Sequence, residues 1–288
     1  MGCGMGGKLL NYDADSTAMR LEDVVVSESD GLRRLGKGRA ATVYLVPTNG
    51  HAAGGAHDQV GRPRSAGHMV LKRFSGHDSL TSLVNVLCSG APNHYAWNPD
   101  AIESAHHVRT ILGMLVPFWT EERMSVAASY GYSFNDENNC FQLHCDYVDG
   151  RHAALHHPFS ASREQELPEL RTLLRDLEST LPDWSFSGAV WQAGKGHPLG
   201  IGNFMNEEGE DGRWVWVDLE SGVPALFPLD PVTLLTYYLP RAFAAGRPLF
   251  DDVDAELLMS QVSSHDALHE YLGPAQIYTV GVMPGTLP

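Results

Sequence analysis

The chain has 288 residues, a formal net charge of −15 at pH 7 and a hydrophobic fraction of 43%. This length can bury one large core or the cores of two lobes, and this hydrophobic fraction is typical of globular proteins. The negative charge disfavours nucleic acid and anionic membranes as partners of the whole surface. The longest apolar run, around 111–119, is much shorter than the roughly 20 residues of a membrane helix, so we expect no transmembrane segment. The four cysteines are Cys3, Cys88, Cys140 and Cys145, and none of them form a CxxC pair. This spacing predicts reduced thiols in a cytoplasmic protein.

Residues 1–20 are predicted to form a flexible tail. Gly2 to Lys8 has the spacing of a phosphate-binding P-loop, but Leu9 stands where that loop needs Ser or Thr to hold magnesium. Gly2 and Cys3 are also candidates for lipidation, although Gly6 lies where the myristoylation motif has Ser or Thr. The sequence therefore favours a tail over a nucleotide site here and leaves lipidation open.

Strands dominate the first half of the chain, with one clear helix among them. The helix begins at Pro99, with Asn98 as its cap, and apolar residues recur at helical spacing from Ile102 to Leu115. Residues 47–68, rich in Gly, Ala and His, are predicted to be a long loop. Strands are predicted at 32–35, 42–46, 69–74, 125–134 and 140–148, the last two joined by the turn NDENN.

The second half is predicted to be mostly helical. Helices are expected at 160–181, with Pro168 as a possible true start, and at 230–243 and 254–271. Between them, the Gly-rich stretch 183–202 is irregular, and strands follow around Phe204 and at 214–219. Strands with one helix, followed mostly by helices, predict an α+β fold of two lobes.

The stretch 35–46, LGKGRAATVYLV, places two glycines before a strand-like run. A dinucleotide-binding loop would need a helix directly after the glycines. The glycine loop of protein kinases lies between two strands and covers the ATP phosphates. Its pattern matches Gly36, Gly38, Ala41 and Val43, with alanine replacing the third glycine. Here the chain resembles the protein-kinase-like superfamily.

The resemblance extends over about residues 31–245 and implies the other parts of an ATP site. The strand MVLKRF resembles the kinase strand that presents a lysine to the α- and β-phosphates, which implies this role for Lys72, with Glu103 orienting it. Asn203 in HPLGIGNFM and Asp218 in WVWVDLESG resemble the kinase ligands of Mg²⁺, with Mn²⁺ as an alternative metal.

The resemblance also implies a hinge between two lobes. The string FQLHCDYVDG resembles the segment whose backbone meets adenine, which makes Asp146, Tyr147 and Val148 cofactor-binding candidates. The implied fold is a bilobal, protein-kinase-like one with a short activation segment. Its strand-rich N-lobe covers 21–146 and its mostly helical C-lobe covers 147–288.

The stretch before Asn203 departs from the kinase pattern. The usual H-R-D-x-x-x-x-N is absent, and no aspartate lies between Asp183 and Asn203. His197, Gln192 or Asp183 could replace the missing base, and Lys195 could meet the γ-phosphate.

The segment after Asp218 departs as well. Glu220 stands where the D-F-G element has glycine, and it could be a further metal ligand or could disfavour two-metal chemistry. The short stretch between Asp218 and Asp230 resembles compact RIO-like or lipopolysaccharide-kinase-like enzymes.

Two functions follow from this resemblance. The first is an atypical kinase-like phosphotransferase that moves the γ-phosphate of ATP to an unknown protein or small-molecule acceptor. The alternative is a pseudokinase, a nucleotide-responsive binding module without turnover.

Overall fold

Nine strands in two sheets form the β-structure that the computed structural model describes. The described residues are 32–37, 41–47, 68–74, 93–153, 166–193, 198–207, 212–220, 235 and 253–282. In chain order the strands are β1 (Arg33–Lys37), β2 (Ala41–Pro47), β3 (His68–Phe74), β4 (Met124–Val126), β5 (Ser129–Asn135), β6 (Cys140–Asp146), β7 (Gly150–His152), β8 (Phe204–Glu207) and β9 (Trp214–Trp216).

The first sheet has the order β1-β2-β3-β6-β5, and all its neighbouring strands are antiparallel. Runs of β-branched, aromatic and apolar residues, TVYLV in β2 and MVL in β3, favour strands here. The register places Lys72 of the central strand β3 between Val43 of β2 and Leu143 of β6. The strands predicted from the sequence for this sheet are confirmed, apart from the start of β5.

The single strand predicted at 125–134 is wrong, because the chain leaves one sheet and enters the other within it. β4 pairs in parallel with β9 in the second sheet, whose order is β4-β9-β8-β7, and β5 belongs to the first sheet. The N–H of Ala127 donates to the carbonyl oxygen of Trp216 at 3.1 Å. The next N–H, of Ala128, donates to the carboxylate of Asp146 at 3.0 Å. The crossing between the sheets lies at these two alanines.

Helix α1 (Pro99–Trp119) begins where the sequence predicts. Pro99 occupies its first turn, and the side chain of Asn98 accepts a hydrogen bond from the N–H of Asp100 at 2.9 Å. This bond satisfies one of the N–H groups that the first turn of a helix leaves without a partner.

The later helices differ in part from the prediction. The helix predicted at 160–181 is α2 (Glu166–Asp183), and α3 (Ala189–Gln192) and a 3-10 helix (Pro198–Asn203) lie within the stretch predicted to be irregular. The helix predicted at 254–271 is two helices, α4 (Ala255–Ser264) and α5 (Asp266–Tyr271), because His265 between them is extended. A further helix, α6 (Pro274–Val282), was not predicted. The predicted helix 230–243 lies outside the described residues.

Helix α1 contributes to two hydrophobic cores. Its N-terminal half packs against the first sheet through Ala101, Ile102 and Ala105. Its C-terminal half, from Val108 to Val116, lies in a larger core with the second sheet and helices α2, α4 and α6. The chain is therefore a mixed α and β protein with two sheets, which agrees with the predicted class at this level. Within the described residues, no helix combines the length and hydropathy that crossing a bilayer requires.

Candidate functional site

Lys72 is a buried lysine on the central strand of the first sheet, with 7% of its surface exposed. Its ammonium group donates to the carbonyl oxygen of Val217 at 2.8 Å, to Asp218 Oδ1 at 3.1 Å and to Glu220 Oε2 at 2.9 Å. An ammonium group has three N–H donors, so these acceptors use its full capacity. A lysine of the first sheet is thereby joined to the segment that follows β9 of the second sheet.

The segment 217–220 is held by the end of the 3-10 helix. The N–H groups of Val217 and Asp218 both donate to the carbonyl oxygen of Asn203, at 2.9 and 3.3 Å. Asn203 directly precedes β8, and β9, the antiparallel partner of β8, ends directly before Val217. The β8–β9 hairpin therefore brings together Asn203 and Asp218, the two residues for which the sequence predicts metal binding.

Arg109 of helix α1 is the second cation of the site, and the sequence analysis missed it. Its Nη2 donates to both carboxylate oxygens of Glu220, at 2.6 and 2.8 Å, and its Nε donates to Oε1 at 2.9 Å. One signal was present, because Arg109 lies four residues after Ala105 and three before Leu112, on the apolar face of the helix. A charged residue on such a face indicates a buried partner.

Lys72, Arg109 and Glu220 hold one another in the charged state at this site. Burial by itself would raise the pKa of Glu220, but Arg109 and Lys72 outweigh it and lower that pKa. Burial would likewise lower the pKa of Lys72, but Asp218 and Glu220 outweigh it and raise that pKa. The side chain of Glu220 is 2% exposed and that of Asp218 is 37% exposed. Asp218 is therefore the carboxylate of the site that faces solvent.

The carboxylates that meet Lys72 are those of Asp218 and Glu220, whereas the sequence analysis expects Glu103 in this role. Glu103 lies beside Tyr132 of β5, and burial raises the pKa of Glu103 against the effect of a hydrogen bond with Tyr132. Glu103 and Arg109 are six positions apart, so the two side chains leave α1 in directions about 120° apart. When Arg109 faces the site, Glu103 is turned toward the edge strand of the first sheet.

The residues predicted to cover the phosphates lie on the β1–β2 hairpin. Gly36 of β1 lies opposite Val43 of β2, and Ala41 begins β2. A Cβ added at Gly36 would meet no atom within 4 Å. Packing therefore does not explain the glycine at this position. Gly38 lies outside the described residues, as do the predicted catalytic residues Lys195 and His197.

The residues predicted to meet adenine follow or end β6. Asp146 is the last residue of β6, and its carboxylate accepts hydrogen bonds from the N–H of Ala128 and the hydroxyl of Tyr130. The ring of Tyr147 lies 6.0 Å from that of His68, measured between ring centres. Val148 follows and is partly buried. The side chain of Asp146 thus supports the crossing between the sheets.

Similarity to known proteins is weak. No protein-family model matches the sequence, and no curated protein matches it. Among solved structures, the apo form of PpkA-294 is similar at 13% sequence identity and a TM-score of 0.29, over 88% of this chain and 94% of that one. A TM-score of this size does not establish a common fold. The function must therefore be inferred from the geometry of the site.

Proposed function

We propose that the chain is an atypical kinase-like phosphotransferase with a bilobal fold, which moves the γ-phosphate of ATP to a protein or small-molecule acceptor. The observation that carries this proposal is the contact between Lys72 and Asp218, which join a central strand of one sheet to the segment after the other sheet. Phosphoryl transfer depends mostly on positioning and on cations that neutralise phosphate oxygens. A lysine in contact with a metal-binding carboxylate meets both needs: the lysine and the bound metal are the cations, and their contact fixes their positions.

Each residue has a role in this proposal. Lys72 holds the α- and β-phosphates, and Gly36 and the residues up to Val43 cover them. Backbone groups of Asp146, Tyr147 and Val148 meet adenine. Asn203 and Asp218 hold the metal.

The donor set fits Mg²⁺ or Mn²⁺ bound together with a nucleotide. Mg²⁺ is usually held by one or two carboxylates together with phosphate oxygens and water, and seldom by protein groups alone. The part of the chain that the structure describes contains no cluster of three or more His, Cys, Asp or Glu side chains suited to a metal. Asp218 offers a partly exposed carboxylate next to Asn203. When bound, the metal would neutralise charge on the phosphate oxygens.

A second candidate function is the pseudokinase, which would bind nucleotide without turnover. It is favoured by the lack of an aspartate between Asp183 and Asn203, where kinases carry the catalytic base. It is also favoured by the contacts of Lys72, whose three donors are all used by the protein itself. Turnover separates the two functions.

The binding experiment compares two variants of β3. Lys72→Met should weaken the binding of Mg-ATP by roughly 10- to 100-fold, because it removes a charged hydrogen-bond donor. Arg73→Met is the matched control, since it removes the same charge from the opposite face of the strand, where Arg73 lies 4.9 Å from the ring of Tyr44. Isothermal titration calorimetry measures both. Wild-type protein that binds no ATP with either Mg²⁺ or Mn²⁺ would refute both candidate functions.

The turnover experiment follows radiolabelled γ-phosphate into water and into a panel of acceptors. An enzyme should lose turnover on Asp218→Asn, which removes a metal-binding charge, and should keep it on Asp176→Asn, which changes an exposed aspartate of α2. Turnover that survives Asp218→Asn would indicate a contaminating activity and defeat the enzyme proposal. If His197 replaces the missing base, His197→Ala should reduce turnover by roughly 10²- to 10⁴-fold.

A further inference from the structure

Arg109 is a buried arginine whose role the phosphate site does not explain. None of its surface is exposed. Besides its three bonds to Glu220, it donates from Nη1 to the carbonyl oxygen of Ala127 at 2.8 Å and from Nη2 to that of Val217 at 3.2 Å. These bonds connect α1 to the crossing between the sheets and to the segment that carries Asp218.

Stability alone is a poor reason for this arginine. A buried ion pair often stabilises a protein no more than apolar residues of similar size would, because both charges must leave water. The same face of α1 is apolar at Ile102, Ala105 and Leu112, each of them buried. The presence of Arg109 among them is better explained by what it does to Glu220.

The two carboxylates next to Lys72 are held very differently. Glu220 is almost completely buried, and its two oxygens accept three bonds from Arg109 and one from Lys72. Asp218 has a partly exposed side chain and a longer contact with Lys72, at 3.1 Å. The carboxylate that can turn toward a metal ion is therefore Asp218, whereas Glu220 is fixed inside the protein.

We propose that Arg109 is a positioning residue of the nucleotide site, which neutralises Glu220 so that Lys72 can exchange a protein acceptor for phosphate and so that Asp218 is the carboxylate that serves the metal, beside Asn203. This inference rests on the proposed function and assigns Glu220 as an internal counter-ion, not as a metal ligand. Arg109 acts through Glu220 and does not touch the nucleotide. Both carboxylates already contact Lys72. Without the charge of Arg109, Glu220 would depend on Lys72 in place of Arg109 and would compete more strongly with phosphate for it.

The first test measures ATP affinity in EDTA, which removes the metal. The affinity then reports on the contact of ATP with Lys72 and not on metal binding. Arg109→Met should weaken ATP binding by roughly tenfold or more, the scale of one charged hydrogen bond. Arg109→Met combined with Glu220→Gln should recover most of that loss, because the competing carboxylate is then neutral. A role in folding alone predicts unchanged ATP affinity in each variant that is folded. Equal affinity of Arg109→Met and wild type, or a double variant no better than Arg109→Met, would overturn the proposal.

The second test measures how much Mg²⁺ improves ATP affinity in each variant. Glu220→Gln should keep the wild-type ratio of the affinities with and without Mg²⁺, whereas Asp218→Asn should lose it. Glu207→Gln is the matched control, because Glu207 also pairs with an arginine, Arg213, at 3.2 Å. Loss of the Mg²⁺ effect in Glu220→Gln would make Glu220 a metal ligand and overturn the assignment.

The outcomes also separate this inference from the proposed function. ATP binding by wild type together with unchanged binding by Arg109→Met would leave the function standing and remove the positioning role. No ATP binding by wild type would refute both. Urea unfolding checks that each variant is folded. If Arg109→Met does not fold, the combination of Arg109→Met with Glu220→Gln replaces it: with the competing carboxylate neutral, ATP affinity in EDTA should stay within about threefold of wild type, less than the scale of one charged hydrogen bond, and a loss of tenfold or more would overturn the proposal.

Discussion

At the scale of single residues, the two glycines Gly36 and Gly150 differ in what surrounds them. A Cβ at Gly150 would lie 2.3 Å from the carbonyl oxygen of Asn206 on the neighbouring strand β8. Real Cβ atoms do not approach backbone oxygens this closely, so β7 or β8 would have to move. The space around Gly36 is open, since no atom lies within 4 Å of its added Cβ.

We therefore expect Gly150→Ala to lower the free energy of unfolding by about 1–3 kcal/mol, the usual cost of overpacking. Gly36→Ala should change it by less than about 0.5 kcal/mol, as for a substitution in open space. Urea unfolding followed by tryptophan fluorescence measures both values. Equal effects of the two substitutions would show that the close approach at Gly150 is relieved at no cost.

The sequence could predict Lys72, Asn203 and Asp218 as one group, because each stands in a local pattern with a recognisable chemistry. The structure brings these three together. The sequence could not predict Arg109 and Glu220 as a pair, because they are 111 positions apart and only tertiary packing joins them. The place of Glu103 on the chain favours it as the partner of Lys72, because the sequence alone does not show which face of α1 is turned to the site.

At the scale of elements, the start of α1 depends on one side chain. Asn98 Oδ1 accepts a hydrogen bond from the N–H of Asp100 at 2.9 Å. Asn98→Ala should lower the free energy of unfolding by about 0.5–2 kcal/mol, because that N–H loses its partner. Asn98→Asp keeps an acceptor and adds a charge that suits the helix N-terminus. It should therefore stay close to wild type in chemical unfolding, and a loss equal to that of alanine would contradict the capping role.

Element boundaries were predicted well where local chemistry sets them and poorly where tertiary contacts do. Asn98 and Pro99 define the start of α1 in the sequence itself. The break between β4 and β5 has no Gly or Pro to mark it, because it arises from Ala127 pairing with one sheet and Ala128 with the other. The break at His265 likewise carries no helix-breaking residue, and the extended backbone there separates α4 from α5.

At the scale of the whole molecule, the class of fold was predictable and the pairing of its strands was not. The order of strands and helices along the chain predicts a mixed α and β protein, which the two sheets bear out. The parallel pairing of β4 with β9 joins residues about 90 positions apart, and no local sequence pattern indicates this pairing. The division into two lobes at residue 146 stays a prediction.

The last prediction concerns the stability of the whole protein in mild acid. His144 of β6 is buried and His106 of α1 is half-buried, each with a serine hydroxyl of β5 2.9 Å from a ring nitrogen. Burial, aided by His107 and Arg109, lowers the pKa of His106 to about 3, and burial lowers that of His144 to about 4. Burial also lowers the pKa of His94 and His107. The rings of His106 and His144 therefore stay neutral in the folded protein well below the pH at which the unfolded chain protonates them, near 6.5.

Between pH 6.5 and about 4 the unfolded chain binds more protons than the folded one, so stability must fall as the pH falls. From pH 6.5 to 5, each of His106 and His144 contributes a loss of about 1.6 kcal/mol, or about 3 kcal/mol together, because the unfolded ring is half protonated at pH 6.5 and the slope approaches about 1.4 kcal/mol per pH unit only below it. Urea unfolding at a series of pH values measures the slope. His144→Gln should reduce the slope by the part that this one ring contributes, at most about 1.4 kcal/mol per pH unit, whereas His269→Gln, which changes an exposed residue of α5, should leave it unchanged. A free energy of unfolding that stays constant from pH 6.5 to 5 in the wild type would contradict the burial of neutral histidines.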